Sequence, residues 1–415
     1  MDTVLEQARR ARQAARRLAT VDSGTKSRAL VAMAGLLGDR REEIKQANSL
    51  DLDAGRAAGL SGALLDRLTL NDARIRAMGV GLLQIAELPD PVGQVIDGTR
   101  RPNGLQIERV RVPFGVIGVI YESRPNVTVD AGGLCLKSGN AVILRGGSEA
   151  LHSNGVLAGI MADAVEHAGL PADCVQLIRS ADREAARTLM RAEGLVDLLI
   201  PRGGEGLKKT ILENATVPVL TSLGGNCHTY VDASADLAMA AEIAFNAKVS
   251  RPSVCNAMET LLVHARAASG LLPDLCARLR AAGVELHGCE RTRALCSDAL
   301  PATEEDWATE YLAPILAIRV VDSLDDAIEH IAQYGTNHSE AIVTSDYFAA
   351  ERFTSEVDAA CVYVNASTRF TDGFEFGMGA EVGNSTQKLH ARGPIGLVEL
   401  TTYKCIIRGA GQIRV

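Results

Sequence analysis

Apolar positions in the first 90 residues recur at helical spacing, with Leu30, Met33, Leu36 and Leu37 on one face among alanines, leucines and arginines. The pattern predicts helices as far as Leu88-Pro89-Asp90-Pro91, where two prolines end it. Two β-like stretches follow, Leu105–Val112 and Val116–Tyr121, separated by the turn Pro113-Phe114-Gly115. From Asn140 onward short apolar runs alternate with helical patterns. Strands are expected at Ala141–Leu144, Val175–Ile178, Val196–Ile200 and Val217–Thr221, and helices at Ser153–Ala168, Arg183–Arg191 and Glu205–Asn214. Short connections between such elements imply a parallel sheet with helices on both faces. Ligands of these sheets usually bind outside the carboxyl ends of the strands.

A second α/β unit is expected after Gly224-Gly225. It contains helices Leu237–Val249, Leu271–Ala282 and Asp325–Gln333, with strands Glu259–His264, Leu316–Val321 and Ala341–Thr344. The tail from Asn365 is rich in Gly and Phe, and Leu397–Ile407 reads as an extended strand. No internal repeat is visible.

Composition narrows the function classes. The 415 residues suit two or three domains, and a 47% hydrophobic content supplies an ordinary globular core. A net charge of −8 without a long basic run argues against nucleic acid or an anionic membrane as the main partner. No apolar run approaches the ~20 residues of a membrane span. The Arg-rich start, with Asp2 and Glu6 in it, reads as an amphipathic surface helix rather than a targeting segment. The nine cysteines contain no C-x-x-C pair and suggest a reduced, cytoplasmic protein.

Three segments could carry chemistry. Pro201-Arg-Gly-Gly-Glu-Gly-Leu-Lys-Lys-Thr210 matches neither standard nucleotide motif, yet it is a glycine-rich turn between a strand and a helix, where backbone N–H groups attract anions. A plain tight turn is the equal alternative. Cys255, in Ser250-Arg-Pro-Ser-Val-Cys-Asn-Ala257, lies in a polar turn before an apolar strand, four residues from Arg251. A nearby cation favours the reactive thiolate. The other cysteines lie mostly among apolar neighbours, as small core residues do. The eight histidines show no metal-ligand spacing, and His338 sits in a polar loop where a turn role competes with a functional one.

Val112-Pro-Phe-Gly-Val-Ile-Gly-Val-Ile-Tyr-Glu-Ser-Arg-Pro-Asn-Val127, Lys137-Ser-Gly-Asn-Ala-Val-Ile-Leu-Arg-Gly-Gly147 and Gly335-Thr-Asn-His-Ser-Glu340 resemble the γ-glutamyl phosphate reductase branch of the aldehyde dehydrogenase superfamily. The resemblance covers nearly the whole chain. It implies an α/β fold of two doubly wound parallel-sheet domains: an NADP(H)-binding domain over 1–100 and 113–226, and a catalytic domain over 227–390. A β-flap over 101–112 and 398–415 is implied as the oligomerisation element of a homodimer or homotetramer. The implied reaction is reduction of L-glutamyl 5-phosphate, supplied by a glutamate 5-kinase, to the 5-semialdehyde.

Residue by residue, the resemblance makes Cys255 the nucleophile. It offers Asn126 or the Cys255 backbone N–H as oxyanion donor, although the superfamily spacing counted back from Asn140 reaches Glu122. Arg145 replaces a lysine that contacts the cofactor ribose, which suits a 2′-phosphate. Gly203, Gly204 and Gly224 are implied at the cofactor, and Glu310, in Glu310-Tyr-Leu-Ala-Pro314, at the nicotinamide ribose. Arg124, Arg251, His338 and Arg369 are candidates for the substrate. In Thr221-Ser222-Leu-Gly-Gly225, Ser222 stands where oxidising relatives carry the glutamate that activates water. That departure disfavours an NAD(P)-dependent oxidiser of some other aldehyde, and Cys255 disfavours a catalytically silent scaffold.

Overall fold

The computed structural model describes residues 3–414 and divides the chain into two compact units. The first comprises residues 1–221, 377–383 and 394–415, and the second 222–376 and 384–393. Residues 377–383 therefore fall in the first unit, inside the range expected for the second.

The first unit opens with five helices, Val4–Leu18, Ser23–Asp39, Arg41–Ala57, Gly62–Leu68 and Asp72–Glu87. Val4–Leu18 is amphipathic as expected: Ala8, Ala11, Ala14, Ala15 and Leu18 are buried, and Thr3 and Glu6 form a reciprocal cap at its start. A four-stranded parallel sheet follows, in the order Val175–Leu177, Ala141–Arg145, Val116–Tyr121, Leu198–Arg202. All six residues of Val116–Tyr121 are buried, which explains why this central strand reads as an unbroken apolar run. Asn140 fixes the sheet's lower edge. Its Oδ1 accepts from the Gly115 N–H at 2.9 Å and its Nδ2 donates to the Leu400 carbonyl at 2.8 Å.

Val217–Thr221 is not a strand. It touches the sheet at one bridge, Leu199 to Val219, because Pro218 has no N–H to extend the ladder. Two elements gave no clear pattern. Val95–Arg100 is exposed throughout and pairs antiparallel with Gln106–Pro113, which also pairs with Thr401–Arg408 in a three-stranded sheet. Helix Asn126–Lys137 contains the poor helix formers Gly132 and Gly133. Those glycines serve packing: a Cβ on Gly132 would lie 2.3 Å from Met161 Cε, and one on Gly133 2.7 Å from Leu82 Cδ2.

The second unit is built on a seven-stranded parallel sheet. Its order is Leu300–Pro301, Glu285–Gly288, Ile315–Val321, Met258–His264, Cys227–Val231, Ser339–Val343, Cys361–Val364. Helices Leu237–Val249 and Ala265–Ala281 pack in one apolar cluster, with Ala244, Leu272 and Leu275 fully buried. Leu324–Tyr334 and Tyr347–Glu356 contribute Ala327, Ile331 and Phe353 to another cluster, so the unit is doubly wound. Cys227–Val231 escapes pattern reading because Cys-His-Thr-Tyr-Val is polar by composition, yet all five residues are buried. Among the described residues no helix is long and apolar enough to cross a membrane, and no disulfide forms.

Candidate active site

Cys255 lies in the loop between helix Leu237–Val249 and strand Met258–His264. This is the amino edge of the sheet, opposite to the carboxyl edge that the alternating pattern favours. The starts of Cys227–Val231 and Ser339–Val343 lie on the same edge. The approaching helix therefore points its C-terminus, with its exposed carbonyls, at the loop, and a thiolate here gains nothing from the helix dipole. Cations must favour it instead. Arg251 and Arg369 are the candidates: burial first, then the Arg251 charge, lowers the pKa of Arg369, while the charge of Cys255 pulls it back up.

The loop is held from below by its backbone. A Cβ on Gly225 would lie 2.1 Å from the Cys255 carbonyl oxygen and 2.7 Å from both its carbonyl carbon and Cα, so only glycine fits there. The Cys227 thiol donates to the Cys255 carbonyl at 3.2 Å and lies 3.7 Å from His338 Nδ1. Burial pushes that thiol well above its ordinary pKa, leaving it a neutral donor and not a second nucleophile. His338 is 1% exposed and shares a 2.8 Å hydrogen bond with Ser339 Oγ, which pairs with Thr371 Oγ1 at 2.6 Å.

Asn256 ties the loop to residues 368–371. Its Nδ2 donates to the carbonyls of Thr371 at 2.8 Å and Arg369 at 3.2 Å, and Thr368 Oγ1 donates to the Asn256 carbonyl at 2.8 Å. Arg369 donates to Asn256 Oδ1 and, at 3.0 Å, to Ser250 Oγ. Its guanidinium is thus spent largely on shaping the loop, whereas Arg251 is exposed.

Beside this loop, Ser222 Oγ donates to the Gly224 carbonyl at 2.9 Å. An alcohol is far too weak a base to take a proton from water, and this one is engaged with backbone. Gly224 has φ +154, and a Cβ there would lie 3.1 Å from Thr336 Cγ2 and 3.6 Å from Glu310 Oε2. Glu310 therefore sits over a bare stretch of backbone. Asn226 anchors the neighbouring segments, donating to the carbonyls of Trp307 at 2.8 Å and Tyr334 at 2.9 Å.

In the first unit the remaining candidates lie at the carboxyl edge of its sheet. Arg145 ends its strand and donates to the Ala181 carbonyl at 3.1 Å. Arg124 and Asn126 follow Val116–Tyr121, and Asn126 Nδ2 donates to Asp130 Oδ2 at 2.9 Å. Burial raises Asp130 to about 6 against the pull of that bond and of Arg202. The turn at Gly203-Gly204 already holds an anion of the chain's own. Gly204 N–H donates to Glu122 Oε2 at 3.1 Å, and a Cβ on Gly203 would strike the same oxygen at 2.4 Å.

The structure thus gathers Cys255, Arg251, His338 and Arg369 around one loop, with Glu310 and Gly224 paired in the same unit. Arg124, Asn126, Arg145, Gly203 and Gly204 belong to the other unit. The supporting contacts of Gly225, Cys227, Asn256, Thr368 and Thr371 had no mark in the sequence, because what they support is distant in the chain.

The Aldehyde dehydrogenase family model matches residues 2–290 and 297–404. The chain is 62% identical to a gamma-glutamyl phosphate reductase of Moorella thermoacetica over 405 residues, 98% of this chain and 97% of the relative. It is 59% identical to the corresponding protein of Carboxydothermus hydrogenoformans, with 100% of both covered. The crystal structure of a gamma-glutamyl phosphate reductase from Thermotoga maritima superposes with a TM-score of 0.97 at 50% identity, covering 100% of both chains.

Proposed function

The chain belongs to the aldehyde dehydrogenase family, in its gamma-glutamyl phosphate reductase branch, and from that premise we propose that it reduces L-glutamyl 5-phosphate to L-glutamate 5-semialdehyde with release of phosphate. This is the second step of proline synthesis from glutamate. The observation that carries the reading is a cysteine loop braced by Gly225 and Asn256 and flanked by two arginines, with Ser222 in place of a general base.

In this reading Cys255, as thiolate, attacks the acyl carbon of the acyl phosphate. The C–S bond forms, the C–O bond to phosphate breaks, and the activation is conserved as a thioester. Arg251 offers a bidentate partner to the departing phosphate or to the substrate's α-carboxylate, while Arg369 holds the loop in shape. Arg124 is a second candidate for the same anions. His338, buried beneath the loop, supports it through Ser339 and Cys227. The Cys255 backbone N–H is the proposed donor to the developing oxyanion, with Asn126 the side-chain candidate for that role. When the carbonyl re-forms, Cys255 leaves as thiolate and the semialdehyde departs. Ser222, donating to Gly224, activates no water to hydrolyse the thioester.

NADPH, when bound, supplies the hydride. Residues present suit it: the bare backbone at Gly224 beneath Glu310 is a cradle that any side chain would fill, and Arg145 is a bidentate donor for a 2′-phosphate. A phosphate can take the Gly204 N–H only by displacing Glu122. We further place the protein in the cytoplasm, as a dimer or tetramer paired through the three-stranded sheet and fed by a glutamate 5-kinase.

The test runs the reaction in reverse, because the acyl phosphate is unstable: NADP+ reduction by glutamate 5-semialdehyde with and without phosphate. Turnover that needs phosphate and vanishes in Cys255→Ala is expected. Turnover at a comparable rate without phosphate would turn the reading toward an aldehyde oxidiser.

A further inference from the structure

Lys248 and Glu259 are both fully buried, and Lys248 Nζ lies 2.5 Å from Glu259 Oε2. Lys248 stands in the last turn of helix Leu237–Val249, two residues before Ser250, and Glu259 stands two residues after Ala257. The pair therefore closes the base of the nucleophile loop. Its other oxygen looks elsewhere: Glu259 Oε1 accepts from the Leu312 backbone N–H at 3.2 Å. Leu312 has φ +51, a left-handed conformation unfavourable for a residue with a Cβ and held only where the surroundings impose it. Lys248 Nζ also lies 5.9 Å from the centre of the Tyr311 ring. Glu310, the first residue of this turn, is the carboxylate placed over Gly224.

A buried ion pair is a poor source of stability, since well-packed apolar residues often replace one at no loss. Its use here is geometric. The same carboxylate fixes the base of the cysteine loop and the turn that aims Glu310.

We propose that Glu259 and Lys248 are positioning residues, which set Glu310 for the cofactor ribose by holding the strained Leu312 turn against the base of the Cys255 loop. The inference rests on the assignment of Glu310 to NADPH made above. It requires an acceptor at Glu259 for the Leu312 N–H, with Lys248 present to neutralise that acceptor's charge.

Two double variants separate the acceptor from the charge. Lys248→Met with Glu259→Gln keeps an oxygen for Leu312 and buries no net charge. Lys248→Met with Glu259→Leu removes the oxygen as well. Each is assayed in the full-length protein for NADPH affinity by fluorescence, for KM of NADP+ and kcat, for the iodoacetamide rate at Cys255, and for melting temperature. The Gln variant is expected to keep its NADPH affinity within about twofold of wild type. The Leu variant is expected to bind NADPH about tenfold more weakly at a similar melting temperature, with KM rising more than kcat falls, as loss of one hydrogen bond to a charged group allows. Equal NADPH affinities in the two variants would overturn the proposal. Wild-type protein that fails to bind NADPH at all would instead refute the cofactor assignment on which it rests.

Discussion

Gly225→Ala tests the support of the proposed nucleophile most directly. The added methyl would sit 2.1 Å from the Cys255 carbonyl oxygen, and ordinary contact begins at 3.4 Å. The obstruction is backbone, so no side chain can rotate away, and the Cys255 loop must move by roughly 1 Å. Displacement of a reacting group on that scale costs on the order of 100-fold in rate. Overpacking a filled site also costs about 1–3 kcal/mol of stability. Gly35→Ala is the control: its Cβ meets nothing within 4 Å, and an exposed mid-helix alanine should stabilise by about 0.5–1 kcal/mol. The assays are kcat for phosphate-dependent NADP+ reduction and the urea unfolding free energy. Expected is a folded Gly225→Ala protein with kcat down about 100-fold. Wild-type kcat in that variant would refute the claim that close backbone packing at Gly225 places the thiol.

Other outcomes follow from particular side chains. Burial above all, then the charges of His228 and Arg319, pushes His330 down to about 2, so the unfolded chain takes up a proton near pH 6.5 that the folded protein refuses. Its contribution is complete above 6.5 and is lost as pH falls, by about 1.4 kcal/mol per pH unit. His330→Gln should lack that slope, so the wild-type-minus-variant difference in urea stability should shrink as pH falls from 7 to 5, approaching about 1.4 kcal/mol per pH unit below 6.5. A difference independent of pH would show that His330 protonates in the fold. Glu259, raised by burial to about 7, acts oppositely, destabilising as pH rises through that window, so only the difference between proteins is diagnostic. Arg145→Ala should raise the KM of NADP+ at least about tenfold while leaving that of NAD+ nearly unchanged, as loss of a charged hydrogen bond implies. Equal effects on both cofactors would remove Arg145 from 2′-phosphate recognition. Ser222→Ala should cost about 1 kcal/mol in stability, through the bond to Gly224, and leave phosphate-dependent turnover intact. A large fall in kcat would assign the hydroxyl a chemical role.

The sequence alone determined the alternation that makes two parallel α/β sheets, because strands buried on both faces must be apolar runs and helices must be amphipathic. Helices Glu205–Asn214 and Leu237–Val249 were legible to the residue. The sequence also sets Cys255 in a polar turn four residues from an arginine, which is what made it the candidate thiol. Elements whose residues serve distant neighbours were not legible: the polar but buried Cys227–Val231, and Asn126–Lys137 with glycines that admit Met161 and Leu82. Tertiary structure decided which sheet edge carries Cys255, and placed it at the amino edge behind a helix C-terminus. It decided that the Gly203-Gly204 turn is met by Glu122, a carboxylate more than 80 residues away. It also brought Gly225, Asn256 and residues 368–371 under one loop. The physical reason is common to all three. Periodicity reports what a residue needs from solvent, whereas a site is made by which backbone and which charge arrive from elsewhere in the chain.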